Sequence, residues 1–433
     1  MITTTILTAL VVMVAVILLL VVVLLLLRDR LLPTGQVTLT INDDSQLRVP
    51  TGGTLIATLG QQQIYLPSAC GGKGSCGQCK CRVLEGGGSI LPTEVGFFTR
   101  KQQQEGWRLG CQVKIKEDMK ISLPPSILNV KKYECTVVSN RNVATFIKEF
   151  KVRLPEGEHM DFEPGSYAQI EIPKFDIKYS DFDHTLITDE YLPAWEKNNL
   201  FALRCTNSES TTRAYSMANY PAEGDVFMLT VRIATPPLKA DKSGFMNVNP
   251  GIASSYIFSL QPGDKVVMSG PYGEFHIKEH PADMPDKPEM IWVGGGAGMA
   301  PLRAQIMHMT RTLHTTDRQM HYFYGARALN EVFYLDDFRQ LENDFSNFHF
   351  HLALDRPDPA ADRASVPYTV GFVHQVMLDT YLGTHPAPED IEYYMCGPGP
   401  MSVAVVNMLD NLGVPLENIL YDDFGGQGTP AGK

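Results

Sequence analysis

Cys70-Gly71-Gly72-Lys73-Gly74-Ser75-Cys76-Gly77-Gln78-Cys79 places three thiols within ten residues, and a fourth, Cys111, follows after 31 more. A [2Fe–2S] cluster takes four thiolates, and a loop supplying three with a later strand supplying one can wrap it. The glycines let the backbone pass close to the sulfides and turn N–H groups toward them. A structural zinc site favours two paired C-x2-C units, and here the second pair is missing because Cys111 stands alone. The expected metal ligands are therefore Cys70, Cys76, Cys79 and Cys111. Cys81, two residues beyond Cys79, reads as a small buried hydrophobe, as do Cys135 and Cys205 in strand-like runs.

Around this loop the chain is ordinary globular protein. Its 433 residues are 44% hydrophobic and 20% charged, with 36 Gly and 29 Pro. That length suggests about three domains, and the composition excludes a collagen, a coiled coil or a mainly disordered chain. Eight Cys are too few for a disulfide scaffold. A net charge of -11 argues against nucleic acid as a partner, since phosphate binding needs basic patches.

The N-terminal end departs from the average. Residues 6–27 form a run of 22 whose one polar side chain is Thr8. As a helix rising about 1.5 Å per residue it reaches about 33 Å, close to a bilayer core. No Lys or Arg precedes it, and Arg28, Asp29 and Arg30 follow. Basic flanks stay on the cytoplasmic side, which places the bulk of the chain in the cytoplasm. A cleaved signal peptide would need a basic start, a shorter apolar core and a small-residue cleavage site, all missing here. The expectation is a single transmembrane anchor over 1–32.

Residues 36–50 alternate as a β-hairpin, 54–61 looks helical, and 80–84 reads as a strand. Thr93 is expected to cap a short helix, with a strand resuming over 109–115. Together 33–127 reads as a small α+β unit. From 128 to 285 short strands and turns dominate, at 135–139, 147–154, 167–172, 227–233 and 265–269, which suggests an antiparallel β-barrel. The polar stretch 174–199 is expected to be a surface insertion. From 286 to 433 the rhythm is strand, helix, strand, which indicates a parallel sheet covered by helices, a Rossmann-like α/β domain.

Three further motifs carry chemistry. In Arg213-Ala214-Tyr215-Ser216 a guanidinium can pair with a pyrophosphate, an aromatic ring can stack on an isoalloxazine, and a hydroxyl can bond a flavin heteroatom. Gly251-Ile252-Ala253-Ser254-Ser255 offers a glycine turn and two hydroxyls ahead of a helical run, a place for phosphate. Gly294-Gly295-Gly296-Ala297-Gly298-Met299-Ala300-Pro301 follows a strand and opens a helix, the context in which a Gly-rich turn binds a dinucleotide. Arg303 lies behind it, and Cys396-Gly397-Pro398 comes about one hundred residues later.

The cysteine loop resembles the plant-type ferredoxins, a β-grasp fold, although C-x5-C here replaces their C-x4-C and is closer to the adrenodoxin spacing. The later motifs resemble the ferredoxin–NADP reductase family. That resemblance implies that Arg213, Tyr215 and Ser216 bind FAD and that Gly251, Ser254 and Ser255 lie near its pyrophosphate. It gives the nicotinamide nucleotide to Gly295, Gly296, Gly298, Pro301, Gly397 and Pro398. Cys396 would lie beside the nicotinamide where hydride passes, and Phe424 would be the C-terminal aromatic over the flavin. Arg327 leaves the choice between NADH and NADPH open from residues alone.

Anchor, ferredoxin unit, flavin barrel and nucleotide domain in this order resemble the family of F subunits of sodium-translocating NADH:quinone oxidoreductases, along essentially the whole chain. The resemblance implies an inner-membrane, single-pass oxidoreductase component with FAD, a [2Fe–2S] cluster and NADH as substrate. Its partners would be the other membrane subunits that reduce ubiquinone and pump sodium. The tail after Gly426 and the length of 174–199 depart from the pattern. A membrane-tethered NAD(P)H reductase of an oxygenase or desaturase shares all of the hydride chemistry and differs in the acceptor. A non-catalytic scaffold is disfavoured by two nucleotide motifs that look intact.

Overall fold

The alternation in 36–50 forms a hairpin of β1 (Gln36–Ile41) and β2 (Ser45–Pro50), with Gln36 opposite Pro50. Leu39, Ile41 and Val49 point inward along it. β3 (Lys80–Glu85), β4 (Trp107–Leu109) and β5 (Met119–Ser122) complete a mixed sheet in the order β2-β1-β5-β3-β4. The helix Leu55–Gln61 is capped by the Thr54 hydroxyl, which accepts from the Ala57 N–H, and buries Leu55 and Leu59 on this sheet. The computed structural model describes residues 2–31, 35–68, 70–128, 130–182, 185–241, 243–281, 283–285 and 287–422. It divides into one unit of Met1–Leu66 with Gly72–Asn129 and a second of Pro67–Gly71 with Val130–Lys433.

Two local expectations in the first unit need correction. Thr93 does not cap a helix. Pro92, with its fixed φ, starts the helix Pro92–Val95 one residue earlier, and the capping hydroxyl is Thr99, ahead of Arg100–Gln104. The strand expected over 109–115 instead ends at Leu109. There the chain turns, with the Gln112 and Val113 N–H groups both donating to the Leu109 carbonyl, at 2.8 and 3.2 Å. The N-terminal run forms one helix, Ile2–Leu31. Its described apolar side chains, Ile6, Leu7 and Leu10–Val23, are exposed, while the side chains of 24–27 lie outside the described residues. Among the described residues no helix is long and apolar enough to cross a membrane.

In the second unit β6 (Lys131–Ala144), β7 (Ile147–Arg153) and β8 (Tyr167–Ile172) are followed by a ribbon of β9 (Phe175–Lys178) and β10 (Arg204–Asn207). β11 (Thr211–Ser216), β12 (Val226–Arg232) and β13 (Lys265–Tyr272) then complete a six-stranded antiparallel sheet, β11-β8-β13-β6-β7-β12. An isolated bridge joins Met217, just after β11, to Leu229 within β12, and these are the two outermost strands.

The stretch 174–199 is not a surface insertion. Tyr179, Ile187 and Trp195 are fully buried, and Phe182 nearly so. The rings of Tyr179, Phe182 and Trp195 pack on one another, that of Trp195 also packs on Phe258, and the Trp195 indole donates to the Thr145 carbonyl at 2.9 Å. The charged residues between these aromatics dilute the hydropathy of the stretch and hide a core element.

The remainder is a parallel sheet of β14 (Met290–Gly295), β15 (Met320–Ala326), β16 (Phe348–Leu354), β17 (Thr369–Val370), β18 (Glu392–Cys396) and β19 (Ile419–Asp422). Its order is β17-β16-β15-β14-β18-β19. The strands at its centre are buried on both faces, as continuous apolar runs such as Met290–Val293 require. The chain walks outward from β14 to β17 and then returns to β18 on the other side. That reversal opens a crevice at the carboxyl ends of β14 and β18, where such sheets bind ligands.

Candidate functional site

The glycine turn sits in that crevice. A Cβ at Gly298 would lie 2.1 Å from the Cys396 carbonyl oxygen, so only glycine lets the turn close on the end of β18. Gly294 pairs with Cys396 across the two strands, and Gly397 lies against Gly295 and Met401. Gly295, Gly296, Gly298, Gly397 and Pro398 are thereby brought to one place, with Pro301 buried in the first turn of the helix Met299–Met307 behind them. This is a close backbone cradle of the kind a pyrophosphate fits. The Thr230 hydroxyl of β12 donates to the Ala297 carbonyl at 2.9 Å. Arg303 is buried and bidentate to Glu223 at 2.8 and 2.9 Å, and it also donates to the Ala218 carbonyl. It locks the helix to the segment after β11 and is no ligand for phosphate.

Strand alternation puts Arg213 and Tyr215 on one face of β11 and Ser216 on the other. Arg213 donates to the Thr212 carbonyl at 2.7 Å and the Thr211 hydroxyl at 2.9 Å. Tyr215 is half-buried against the core, and burial pushes its phenol above the ordinary range. Ser216 is buried, and its hydroxyl donates to Asp422 Oδ2 at 2.6 Å. Asp422 stands opposite Cys396 in the β18–β19 register. The Asp422 carboxylate thus holds Ser216 while its backbone lies beside Cys396, and the sequence did not single this residue out. Its one signal was a place two residues before Phe424, which itself lies outside the described residues.

The helix Ile252–Ser259 starts at Gly251. Ser254 accepts from the Ala234 N–H and donates to the Gly251 carbonyl, while Ser255 is fully buried between that carbonyl and the Tyr179 hydroxyl. Both hydroxyls therefore shape the turn from inside. What this end offers an anion is its first-turn N–H groups. At the other end Lys148 Nζ lies 3.3 Å from the Phe258 carbonyl, and burial lowers its pKa to about 7. Arg327 is exposed beyond β15. Asp355 is held below the usual carboxylate range by its hydrogen bond to Arg356, with Arg327 adding to the effect.

Of the four cysteines expected as ligands, Cys76, Cys79 and Cys111 belong to the first unit. Cys70 belongs to Pro67–Gly71, grouped with the second, where Gly71 lies against Thr211 and Arg213. The Cys79 thiol is pushed well up by its hydrogen bond with Cys111 and by burial. A pair of buried thiols this close is the donor chemistry an iron–sulfur cluster needs, once deprotonated. Gly72 and Gly74 sit against Cys111 and Gln112. Among the described residues no group of three or more His, Cys, Asp or Glu side chains gathers tightly enough to hold a metal ion. Cys81, Cys135 and Cys205 are fully buried core residues.

Residues 39–116 match the family described as the 2Fe-2S iron-sulfur cluster binding domain. Residues 196–277 match the oxidoreductase FAD-binding domain, and 292–407 the oxidoreductase NAD-binding domain. The F subunit of the Na(+)-translocating NADH-quinone reductase of Klebsiella pneumoniae subsp. pneumoniae is 51% identical over 401 residues, which is 92% of this chain and 94% of the relative. That of Psychrobacter arcticus is 50% identical over 401 residues, 92% of this chain and 93% of the relative. Among solved structures, the Amycolatopsis cytochrome P450 reductase GcoB aligns with TM-score 0.60 at 22% identity, covering 92% of this chain and 100% of that one. The ferredoxin reductase in carbazole 1,9a-dioxygenase aligns with TM-score 0.55 at 23% identity, covering 90% and 98%. At such identities these two likenesses show the fold.

Proposed function

The chain belongs to the family of F subunits of the Na(+)-translocating NADH-quinone reductases, and from that membership we propose that it is the NADH-oxidising component through which electrons reach the rest of a sodium-pumping NADH:ubiquinone oxidoreductase. FAD, when bound, would supply the exchange between paired and single electrons, and a [2Fe–2S] cluster would supply one-electron transfer. Arg213 and the first turn of Ile252–Ser259 hold the flavin pyrophosphate, and Tyr215 packs on the ring system. Gly251, Ser254 and Ser255 set the shape of that turn. Gly295, Gly296, Gly298, Pro301, Gly397 and Pro398 seat the NADH pyrophosphate. Cys396 sits where the nicotinamide approaches, Phe424, outside the described residues, keeps the part of the C-terminal aromatic over the flavin that the family resemblance implies, and Ser216 keeps its proton directed at Asp422. Cys70, Cys76, Cys79 and Cys111 supply the four thiolates.

The reading is supported above all by the Ser216–Asp422 hydrogen bond of 2.6 Å, with Asp422 opposite Cys396. It draws the strand with the flavin motif and the strand with the nicotinamide motif to one point. The proposed divisions are an anchor over 1–32, a ferredoxin-type domain over 33–127, a flavin domain over 128–285 and an NADH domain over 286–433. The Met217–Leu229 bridge supports closure of the flavin sheet into a barrel. The exposed apolar side chains Ile6, Leu7 and Leu10–Val23, with Arg28 and Arg30 after them in the sequence, support a single-pass anchor in the bacterial inner membrane with the bulk cytoplasmic. Extraction of the intact chain in mild detergent tests the assignment. FAD, iron in the proportion of one cluster, and other membrane subunits are expected together. Zinc in place of iron, or an oxygenase as the companion, contradicts it.

A further inference from the structure

Residues 86–98, Gly-Gly-Gly-Ser-Ile-Leu-Pro-Thr-Glu-Val-Gly-Phe-Phe, contain one ionisable side chain, Glu94, and it is fully buried. Its carboxylate accepts from Arg108 Nε and Nη2 and from the Leu91 and Leu109 N–H groups. Arg108 is buried too, and its Nη1 goes to the Gly87 and Gly88 carbonyls at 2.7 and 3.1 Å. A closed, desolvated pair of this kind presents no net charge outward. What the segment does present is apolar. Leu91 is 39% and Val95 43% exposed, with Ile90 and Phe97 half-buried beside them.

This surface borders the cysteine ligands. The Phe97 ring lies on Gly77, between Cys76 and Cys79, so closely that a Cβ there would sit 2.5 Å from it. The Thr93 hydroxyl donates to Gln112 Oε1 at 3.3 Å, and Gln112 Nε2 lies 3.7 Å from Cys111 Sγ. Flanking positions are basic. Lys73, Lys80, Arg100 and Lys101 are exposed, against Glu85 as the exposed acid between 70 and 104 and Glu105 paired to Lys101 at 4.0 Å. That excess of cations stands out in a chain of net charge -11.

We propose that this face, Ile90–Phe97 with its basic rim, is the docking surface through which the electron leaves the chain. Its occupant is another protein of the same complex, presenting an apolar centre ringed by carboxylates beside a one-electron acceptor. One electron passes per encounter: the cluster is oxidised by one, the acceptor is reduced by one, and no bond or proton changes. An uncharged centre inside a charged rim is the anatomy of a protein interface, and opposite rim charges speed and orient the encounter. The inference rests on the function proposed above.

The test uses the assembled complex in membranes. Val95→Asp should lower quinone reduction by about tenfold or more, while NADH-driven ferricyanide reduction and the cluster signal persist. Lys101→Glu, on a side chain 85% exposed, should lower quinone reduction at low salt and lose the normal salt dependence. Val95→Cys should be cross-linked by a bismaleimide to another protein of the complex, a readout independent of turnover. Unchanged quinone reduction in both charged variants, or cross-linking of Val95→Cys to a second copy of this chain alone, overturns the proposal. If Val95→Asp loses its cluster signal, Lys101→Glu and the cross-link decide. Failure of the parent chain to bleach with NADH or to carry a cluster would instead sink the underlying function.

Discussion

The cysteine loop and the junction of Ser216, Asp422 and Cys396 are built in opposite ways. Cys76 and Cys79 come from one glycine-bearing loop of one small unit, and Cys111 joins them from later in the same unit. Ser216 and Asp422 meet across 206 residues, and Cys396 joins them through strand register. The first arrangement is a local motif. The second exists because a parallel sheet reverses its winding between β14 and β18 and ends on β19 beside β11. The difference teaches that local chemistry survives as a pattern in the chain, whereas a site made by sheet topology has to be assembled before it is visible.

Four expected outcomes can break or sharpen that contrast. The largest is Cys79→Ala. A local site should be lost outright, so the cluster signal in electron paramagnetic resonance disappears while NADH still bleaches the flavin. Loss of flavin bleaching as well would show that the two regions are one cooperative site. Next is Trp195→Ala, which should destabilise the second unit by about 3–5 kcal/mol, read by calorimetry together with flavin release. A change below about 1 kcal/mol would return 174–199 to the role of a dispensable insertion.

Ser216→Ala should be smaller, because it leaves Asp422 without its 2.6 Å donor at a cost of about 1–3 kcal/mol. Flavin content should stay normal while stopped-flow hydride transfer slows by roughly 10- to 100-fold. An unchanged rate would make the contact merely structural. The smallest effect is a separation in pH. His321 and His351 are hydrogen-bonded at 3.0 Å, and burial, with neighbouring histidines, lowers their pKa values to about 3 and about 4. The unfolded chain takes up those protons first, so stability present above about pH 6.5 is lost as pH falls toward 4, by at most about 1.4 kcal/mol per pH unit per proton. In the first unit Glu94 is held below its ordinary range, against its burial, by Arg108 and two backbone N–H groups. Its contribution is lost only as pH falls through that lowered value. Hydrogen exchange should therefore quicken in β15 and β16 before β3 and β5 on acidification, and the reverse order would contradict this.

The same contrast explains what was legible. The hairpin of 36–50, the glycine turn after β14 and the cysteine spacing could be read because their residues are neighbours in the chain. Asp422 could not, since nothing near it predicts Ser216. The burial of 174–199 was hidden because Tyr179, Phe182 and Trp195 are spaced among acids and lysines, so no hydropathy window exposes them. Ser254 and Ser255 were recognised as part of a phosphate turn, but a motif does not say which way a hydroxyl points, and both point inward.

A chain of this family that takes electrons from NADH has to turn a paired delivery into single ones. Rapid mixing of the oxidised chain with NADH, followed at once by flavin absorbance and freeze-quenched paramagnetic resonance, tests it most directly. Flavin absorbance should fall first, and the signal of the reduced iron–sulfur centre should then rise within the same turnover. A flavin that is fully reduced while the iron centre stays oxidised would contradict it.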